Sequence, residues 1–182
     1  MTRSAAHWPW VLGALLIAIV VHLLSLYAIP HLVMSRAIAT MAQGGGFNRV
    51  AHAERATATS HGVVRPSPDL LYSACPFDLS SGPLLVRAHV PAGTYWSVSA
   101  FDAETDNFFV RNDLQVPGGE LGLLIEPPNA RRTTAPKSLT PIVSPTLRGL
   151  VLFRTLINDE ANFAELDAAR RQTSCQTYRP EN

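Results

Sequence analysis

The stretch VRPSPDLLYSACPFDLSSGPLLVRAHVPAGTYWSVSAFDAETDN, residues 64–107, decides the fold. Within it, the side chains of residues 84–90 alternate between two faces. One face has the apolar residues Leu84, Val86, Ala88 and Val90. A period of two is typical of a strand with one buried face. Residues 91–93 (PAG) form a turn signal, and residues 94–102 (TYWSVSAFD) are rich in β-formers. The stretch therefore predicts two neighbouring strands joined by a tight turn.

The same pattern of short apolar runs separated by turn residues continues on both sides of this stretch. Short apolar runs at 70–74, 108–110, 121–125, 139–143 and 147–157 are separated by Pro, Gly and polar residues. After the last run, Asn158 or Asp159 can cap a helix whose apolar stripe is Phe163 and Leu166. The expected fold is mostly β, a β-sandwich or roll with one C-terminal helix.

Composition excludes several classes of function. The chain has 182 residues, enough for one modest domain and an accessory segment, and its net charge is +1. A charge so close to zero gives no reason to expect nucleic acid as a partner. The sequence lacks a metal-hydrolase His pair, a nucleophile elbow, a phosphate loop and a dinucleotide fingerprint. We therefore expect no metal and no cofactor.

Residues 11–29 (VLGALLIAIVVHLLSLYAI) contain no Lys, Arg, Asp or Glu. As a helix they span about 28 Å, close to the roughly 30 Å of a hydrocarbon core. Trp8, Trp10 and Tyr27 place aromatic rings near both interfaces. The pattern predicts a single N-terminal transmembrane helix that ends or kinks at Pro30. The alternative is a cleaved signal peptide with its site at residues 37–39, although its apolar core is usually only about 7–15 residues.

Domain organisation follows from these signals. We expect a transmembrane anchor with a short helical extension over residues 1–43, a linker over 44–62, and an exported β-rich domain over 63–182. Because the tail before the span is short and the domain after it is large, the amino end is expected in the cytoplasm. His52 and His61 fall in the linker, and we interpret both as solvated side chains.

Cys75 and Cys175 are the two cysteines of the chain. In an oxidising compartment such a pair predicts a disulfide, which would close a loop of about 100 residues and contribute roughly 4.7 kcal/mol in the chain-entropy model. Two buried free thiols are the alternative.

A small set of polar residues is suited to chemistry or to ligand binding. The candidate catalytic residues are Asp69, Tyr72 and Ser73, and the candidate ligand-binding residues are Arg65, Asp69, Asp102, Asn107 and Arg154. A buried Asp paired with Arg154 could form a site, because burial and charge pairing tune such groups. In the simpler interpretation, Asp69 caps a turn and Arg154 neutralises a buried carboxylate. The acidic segment 102–107 could hold a cation through its oxygens, or it could be a solvated turn.

The chain resembles a known family in several places. The segments are residues 64–73 (VRPSPDLLYS), the Asp-Leu turn at 78–79, residues 93–98 (GTYWSV) with the following Phe-Asp, and residues 154–157 (RTLI) before an acidic helix. Together they resemble the domain of unknown function 1254 family over roughly residues 63–178. Many members read Asn-x-Asp-Thr-Leu-Tyr-Ser, and this chain departs from that pattern at Ser67 and Leu70.

The resemblance implies a bacterial β-rich module that larger members join to a second module, the domain of unknown function 1214. We therefore expect a single-pass protein of the bacterial inner membrane with its domain on the periplasmic side. Its β-module is expected to bind a small ligand or a partner chain, and the candidate partner is a separate chain carrying the second module. The alternative is an envelope hydrolase that acts on a small molecule through the Asp69 and Tyr72 region.

Overall fold

The computed structural model describes residues 7–57, 66–116, 119–130 and 136–179. Its helices are α1 (Trp8–Gln43) and α2 (Phe163–Arg171), with a 3₁₀ turn at Glu160–Asn162. Its strands are β1 (Ala51–His52), β2 (Leu70–Asp78), β3 (Leu84–Val90), β4 (Trp96–Asp102), β5 (Asn107–Asn112), β6 (Gly119–Glu126), β7 (Thr140–Val143), β8 (Arg148–Leu156) and β9 (Ser174–Thr177). The predicted fold class, mostly β with a long N-terminal apolar helix and a C-terminal helix, is confirmed.

The strands form two sheets that pack face to face. The five-stranded sheet has the order β1-β2-β8-β4-β5, and the four-stranded sheet has the order β7-β6-β3-β9. Neighbouring strands are antiparallel except for β6 and β7. The apolar side chains between the sheets include Phe77, Trp96, Val98, Leu123 and Phe153. Alternation along each strand thus puts one face of each sheet into a shared interior.

Pro76 lies inside β2, although the sequence pattern places it in a turn after a shorter strand. Its carbonyl accepts a hydrogen bond from the Asn48 N–H (2.8 Å) on the side of β2 that faces the sheet edge. β1 pairs only with Ser73 and Ala74, so no ladder donor is missing where the proline lacks its N–H. The strand can therefore continue through a residue that usually ends one.

Helix α1 continues through Pro30 and is 36 residues long. It is long and apolar enough to cross a membrane, and no other helix in the described ranges meets that criterion. Its last turns pack on the outer face of the five-stranded sheet, where Met34 and Ile38 are buried against Leu150. The helical extension predicted after the span is thus one continuous helix that docks onto the domain.

The segment predicted as a linker contains part of the domain. Residues 51–52 form the edge strand β1. Asn48 ties this segment to β2, since its Nδ2 donates to the Asp78 carbonyl (2.9 Å) and its Oδ1 accepts from the Asp78 N–H (2.9 Å). The same Nδ2 donates to Thr177 Oγ1 at 3.1 Å. Side-chain bonds to distant backbone, rather than local periodicity, hold the segment in place, and single-sequence patterns do not show them.

The predicted C-terminal helix begins as expected. Asp159 caps the 3₁₀ turn, because its Oδ1 accepts from the Ala161 N–H at 2.9 Å. Helix α2 then buries Leu166 and, on its last turn, Arg170. The latter is 6% exposed, so a cation that the sequence places near solvent points into the protein instead.

Candidate functional site

The outer face of the five-stranded sheet has a covered end and an open end. α1 covers the end at Leu150 and Phe101. Toward the other end, the register places Arg154 of β8 beside Tyr72 of β2 and Ser97 of β4. We call these three residues, with Ser99 of β4, the Arg154 row.

Arg154 lies half-buried in this row with few partners. Its Nη2 donates to Ser99 Oγ at 3.0 Å. Among the described residues, no hydrogen-bond partner reaches its buried Nε or the buried hydroxyl of Ser97. None of the ion pairs among the described residues includes Arg154. An unsatisfied buried donor costs about 1–3 kcal/mol, more when it is charged, so the row favours an acceptor that comes from outside.

Asp69 is not the buried Asp that could pair with Arg154. Its carbonyl accepts from the Ile157 N–H at 2.8 Å, its N–H donates to Ser67 Oγ at 3.3 Å, and its side chain is exposed. Tyr72 contacts the same segment before β2, since its hydroxyl accepts a hydrogen bond from the Ser67 N–H at 3.1 Å. Asp69 and Tyr72 therefore organise the entry to β2. Arg65 lies outside the described residues.

Ser73 points the other way, into a buried polar cluster at the edge of the sandwich. It is 2% exposed, and its hydroxyl lies 2.8 Å from His52 Nδ1. Arg170 Nη1 donates to the Tyr72 carbonyl (2.8 Å) and approaches Ser73 Oγ (3.5 Å). Arg170 Nε donates to Asp167 Oδ1 at 2.6 Å. We call Ser73, His52, Arg170 and Asp167 the inner cluster.

Burial and neighbouring charges shift the pKa values of His52 and Asp167 in the inner cluster. Burial lowers the pKa of the His52 imidazole, and the nearby Arg170 and Arg171 lower it further. Burial by itself would raise the pKa of Asp167, but hydrogen bonds from Arg171 and Arg170 outweigh it and hold that pKa below its ordinary value. The imidazole is thus kept neutral beside Ser73, while Asp167 stays ionised beside two guanidinium groups.

Sequence reasoning missed two members of the inner cluster. The sequence pattern places His52 in a solvated linker, and Arg170 is not among the candidate residues. A serine hydroxyl bonded to a neutral imidazole is the arrangement that activates a nucleophile. Here the hydroxyl is shielded from solvent, so the cluster as it stands joins β1, β2 and α2. The available sign of this cluster in the sequence is the arginine at the end of the apolar stripe of α2.

The acidic segment after β4 is a turn organised by Asp102. That residue is 3% exposed, and its Oδ1 accepts from the N–H groups of Glu104 (2.8 Å) and Asp106 (2.9 Å). Asp106 and Asn107 are exposed. Because backbone donors already use the buried oxygen, the geometry favours the turn interpretation over a ligand site at Asp102.

Cys75 and Cys175 meet between the two sheets. Both are buried free thiols in this structure. Burial raises the pKa of the Cys175 thiol well above its ordinary value, and a hydrogen bond with Cys75 raises it further. The fold therefore brings together the two residues that the sequence pairs, while the bond itself stays a prediction.

We expect the full-length protein, isolated from its native cells without reductant, to carry this disulfide. The pair would lose two protons and two electrons to a disulfide-bearing oxidant. After denaturation, alkylation should modify neither cysteine before reduction and both afterwards. Two alkylated cysteines in the unreduced sample would contradict the prediction.

Comparison with known proteins gives one family and four matching solved chains, two of which are named below. The family model described as "Protein of unknown function (DUF1254)" matches residues 47–177. The VPA0106 protein from Vibrio parahaemolyticus is similar, with a TM-score of 0.61, 11% identity, and coverage of 84% of this chain and 36% of that one. An uncharacterised protein from Burkholderia cenocepacia has a TM-score of 0.50 and 14% identity over 78% of this chain and 38% of its own. The curated proteins give no match.

These comparisons concern the fold. The chain spans less than two fifths of the length of either solved relative. At identities of 11% and 14%, the likeness supports the β-sandwich architecture and carries no residue roles. The family match begins at residue 47, within the segment that the sequence pattern assigned to a linker.

Proposed function

The chain belongs to the DUF1254 family of proteins of unknown function, and we propose that it is a membrane-anchored module that binds a partner polypeptide. The partner contributes a carboxylate to the Arg154 row, on the open part of the five-stranded sheet. We place the anchor in the bacterial inner membrane and the β-sandwich on the periplasmic side. A chain carrying the second module of larger relatives is the partner that this proposal favours.

The anchor is supported by the surface of α1. Many of its large apolar side chains are exposed, including Leu15, Leu16, Ile17 and Leu24 at 54–67%. Such a surface is unfavourable in water and is matched by hydrocarbon. The buried residues of α1 all lie in its C-terminal third, at Met34, Ala37 and Ile38. One part of the helix is thus suited to lipid and the other to the domain.

The binding face is supported by one observation above all, the uncompensated Arg154. A guanidinium that is half-buried on a sheet and lacks a carboxylate attracts one from a ligand, because hydrogen bonds to charged groups are strong. Ser97, 1% exposed and without a partner, adds an unused hydroxyl beneath it. Charge complementarity therefore indicates an anionic partner group.

The surroundings of Arg154 suit a polypeptide better than a free anion. Leu152 and Leu156 lie on the same face of β8 and are partly exposed. Tyr95, just before β4, is 42% exposed. Partly exposed aliphatic and aromatic side chains around a central Arg resemble the composition of protein interfaces, in which Arg and Tyr are enriched.

The hydrolase alternative has weaker support in the geometry. Asp69 and Tyr72 use backbone and hydroxyl groups to hold the entry to β2. Ser73 has an imidazole partner, but it is 2% exposed. A substrate could reach it only if the edge of the sandwich opened.

The test is native mass spectrometry of full-length protein extracted gently from its own membrane. We expect a stoichiometric second chain, and we expect Arg154→Gln to weaken its binding by roughly tenfold or more, since a charge-assisted hydrogen bond contributes about 1.5–3 kcal/mol. The matched control is Arg148→Gln, because Arg148 lies on the same face of β8 but is paired with Asp78 (2.8 Å).

Each other outcome counts against the proposal. A second chain that Arg154→Gln retains would move the binding surface elsewhere. A chain that carries only a small molecule would replace the partner with a ligand, and a bare monomer would remove the binding function.

A further inference from the structure

Helix α1 crosses the five-stranded sheet from one side to the other. Phe77 of β2, Gly149 of β8 and Asp102 of β4 are register partners and form a row across the sheet. After α1 ends, the Asn48 N–H bonds to Pro76 of β2 at 2.8 Å. At the other side, His31 Nε2 lies 3.5 Å from Glu104 Oε1 in the turn after β4. The helix therefore runs along this row.

The length of α1 over residues 31–43 is sufficient to cross the sheet along this row. The helix from residue 31 to residue 43 covers about 18 Å at 1.5 Å per residue. The three strand spacings from β2 to β5 cover about 14 Å. Register partners in antiparallel sheets line up perpendicular to the strands, so α1 crosses the strands at a steep angle. Its apolar part leaves the domain past the turn between β4 and β5, so a membrane that holds this part lies roughly parallel to β5.

The β7 edge of the second sheet lies on the same side as β5. β9, at the opposite edge, lies near β2, because Thr177 bonds to Asn48 and Cys175 contacts Cys75. The strand order then places β7 toward β5. We call the side bounded by these two edges the β5–β7 side.

Exposed apolar residues are concentrated on this side. Leu114, just after β5, is 83% exposed, Val110 of β5 is 50% exposed and Val143 of β7 is 49% exposed. Ser174 and Gln176 are the exposed residues of β9 at the opposite edge. Tyr95 and Leu147 are the other large apolar residues exposed outside α1 in the described part of the chain, so the two edges of the β5–β7 side carry three of the five.

We propose that the β5–β7 side rests on the lipid headgroup layer, with Leu114 inserted at the acyl boundary. This inference depends on the proposed membrane anchor. Tyr27 lies one helical turn before His31, so the turn that contacts His31 is within about 6 Å of the expected interface. Arg111, half-buried over the Phe109 ring at 4.9 Å, is placed to reach a lipid phosphate. Headgroups would then cover the outer edge of β5, which has no neighbouring strand on that side among the described residues.

The test uses full-length protein in phosphatidylcholine–phosphatidylglycerol vesicles with an environment-sensitive fluorophore at one introduced cysteine. The positions are Leu114→Cys, the control Ser174→Cys on the opposite edge, and Leu16→Cys on α1. Both native cysteines are buried, and labelled unsubstituted protein gives the background. Leu114 and Ser174 are exposed, so neither change should disturb folding.

We expect spin-labelled lipid to quench the probes at residues 16 and 114 strongly, and the probe at residue 114 roughly threefold more than the probe at residue 174. An unquenched probe at residue 16 would show that the anchor proposal itself fails. A quenched probe at residue 16 with equal values at 114 and 174 would overturn this inference and leave the anchor intact.

Discussion

Replacing Arg170 with Met should lower the free energy of unfolding by about 3 kcal/mol, the upper end of the range for hydrogen bonds made by a charged group. Met fills a similar volume, so the loss comes from the charge and the donors. Arg170 is 6% exposed, and it bonds to Asp167 Oδ1 and to the Tyr72 carbonyl. Without it, the Tyr72 carbonyl of β2 keeps only the Ala53 N–H as a donor, and α2 loses this bond to the sheet.

The matched control is Arg171→Met. Arg171 bonds to the other oxygen of the same carboxylate (2.8 Å), but its side chain is 58% exposed. Exposed ion pairs contribute about 0–1 kcal/mol, so this change should cost little. Chemical denaturation of the detergent-solubilised full-length protein measures both variants. Equal losses would show that burial of Arg170 has no special importance.

The dependence of stability on pH follows from the same cluster. The pKa of Asp167 is lower in the folded state, so its contribution is present above its ordinary pKa of about 3.9 and is lost as pH falls further. The pKa of His52 is also lowered, so the unfolded chain takes up a proton first as pH falls below about 6.5. Stability should therefore decline in two steps on acidification. Arg170→Met should weaken both steps, because it removes a charge that lowers each pKa.

Replacing Gly149 with Ala should cost about 3 kcal/mol, at the upper end of the range for overpacking. A Cβ at this position would clash with the backbone oxygen of Phe101 and with the ring of Phe77. The oxygen belongs to β4, which pairs with β8 at this point. The ring could move only into the filled interior between the sheets, so neither neighbour can retreat easily.

Gly45→Ala is the control for this change, since a Cβ there would meet nothing within 4 Å. Its effect on the free energy of unfolding should stay within about 0.5 kcal/mol. Denaturation curves of the two variants, compared with the unsubstituted protein, provide the measurement. If Gly149→Ala were as stable as Gly45→Ala, β8 would have to shift away from β4 at no cost, against the packing described here.

Local patterns predicted most of the elements. The alternation in residues 84–90 and the β-formers of residues 94–102 correspond to β3 and β4. Asp159 caps the C-terminal helical segment as its residue type predicts. Pro141 lies on the edge strand β7, where a missing donor is tolerated. In these cases the cause is local, either the period of the side chains or the chemistry of one cap.

The candidate site was predicted less well, because its contacts are distant in sequence. Arg154 was singled out, but the carboxylate expected to pair with it, Asp69, is exposed. His52 lies 21 positions from Ser73, and Arg170 lies 97 positions from it. The edge strand β1 is only two residues long and has no periodicity to read. Its place depends on bonds made by Asn48 to β2 and β9.

By itself, the sequence determined the β-sandwich class, the apolar N-terminal helix and the family, because each is written in composition, period or short motifs. Only the tertiary structure decided which polar groups meet. It placed Arg154 on an open sheet face, turned Arg170 into the interior, and brought Cys75 to Cys175 across the two sheets. The physical reason is that strand order and register set these contacts, and both are properties of the whole chain.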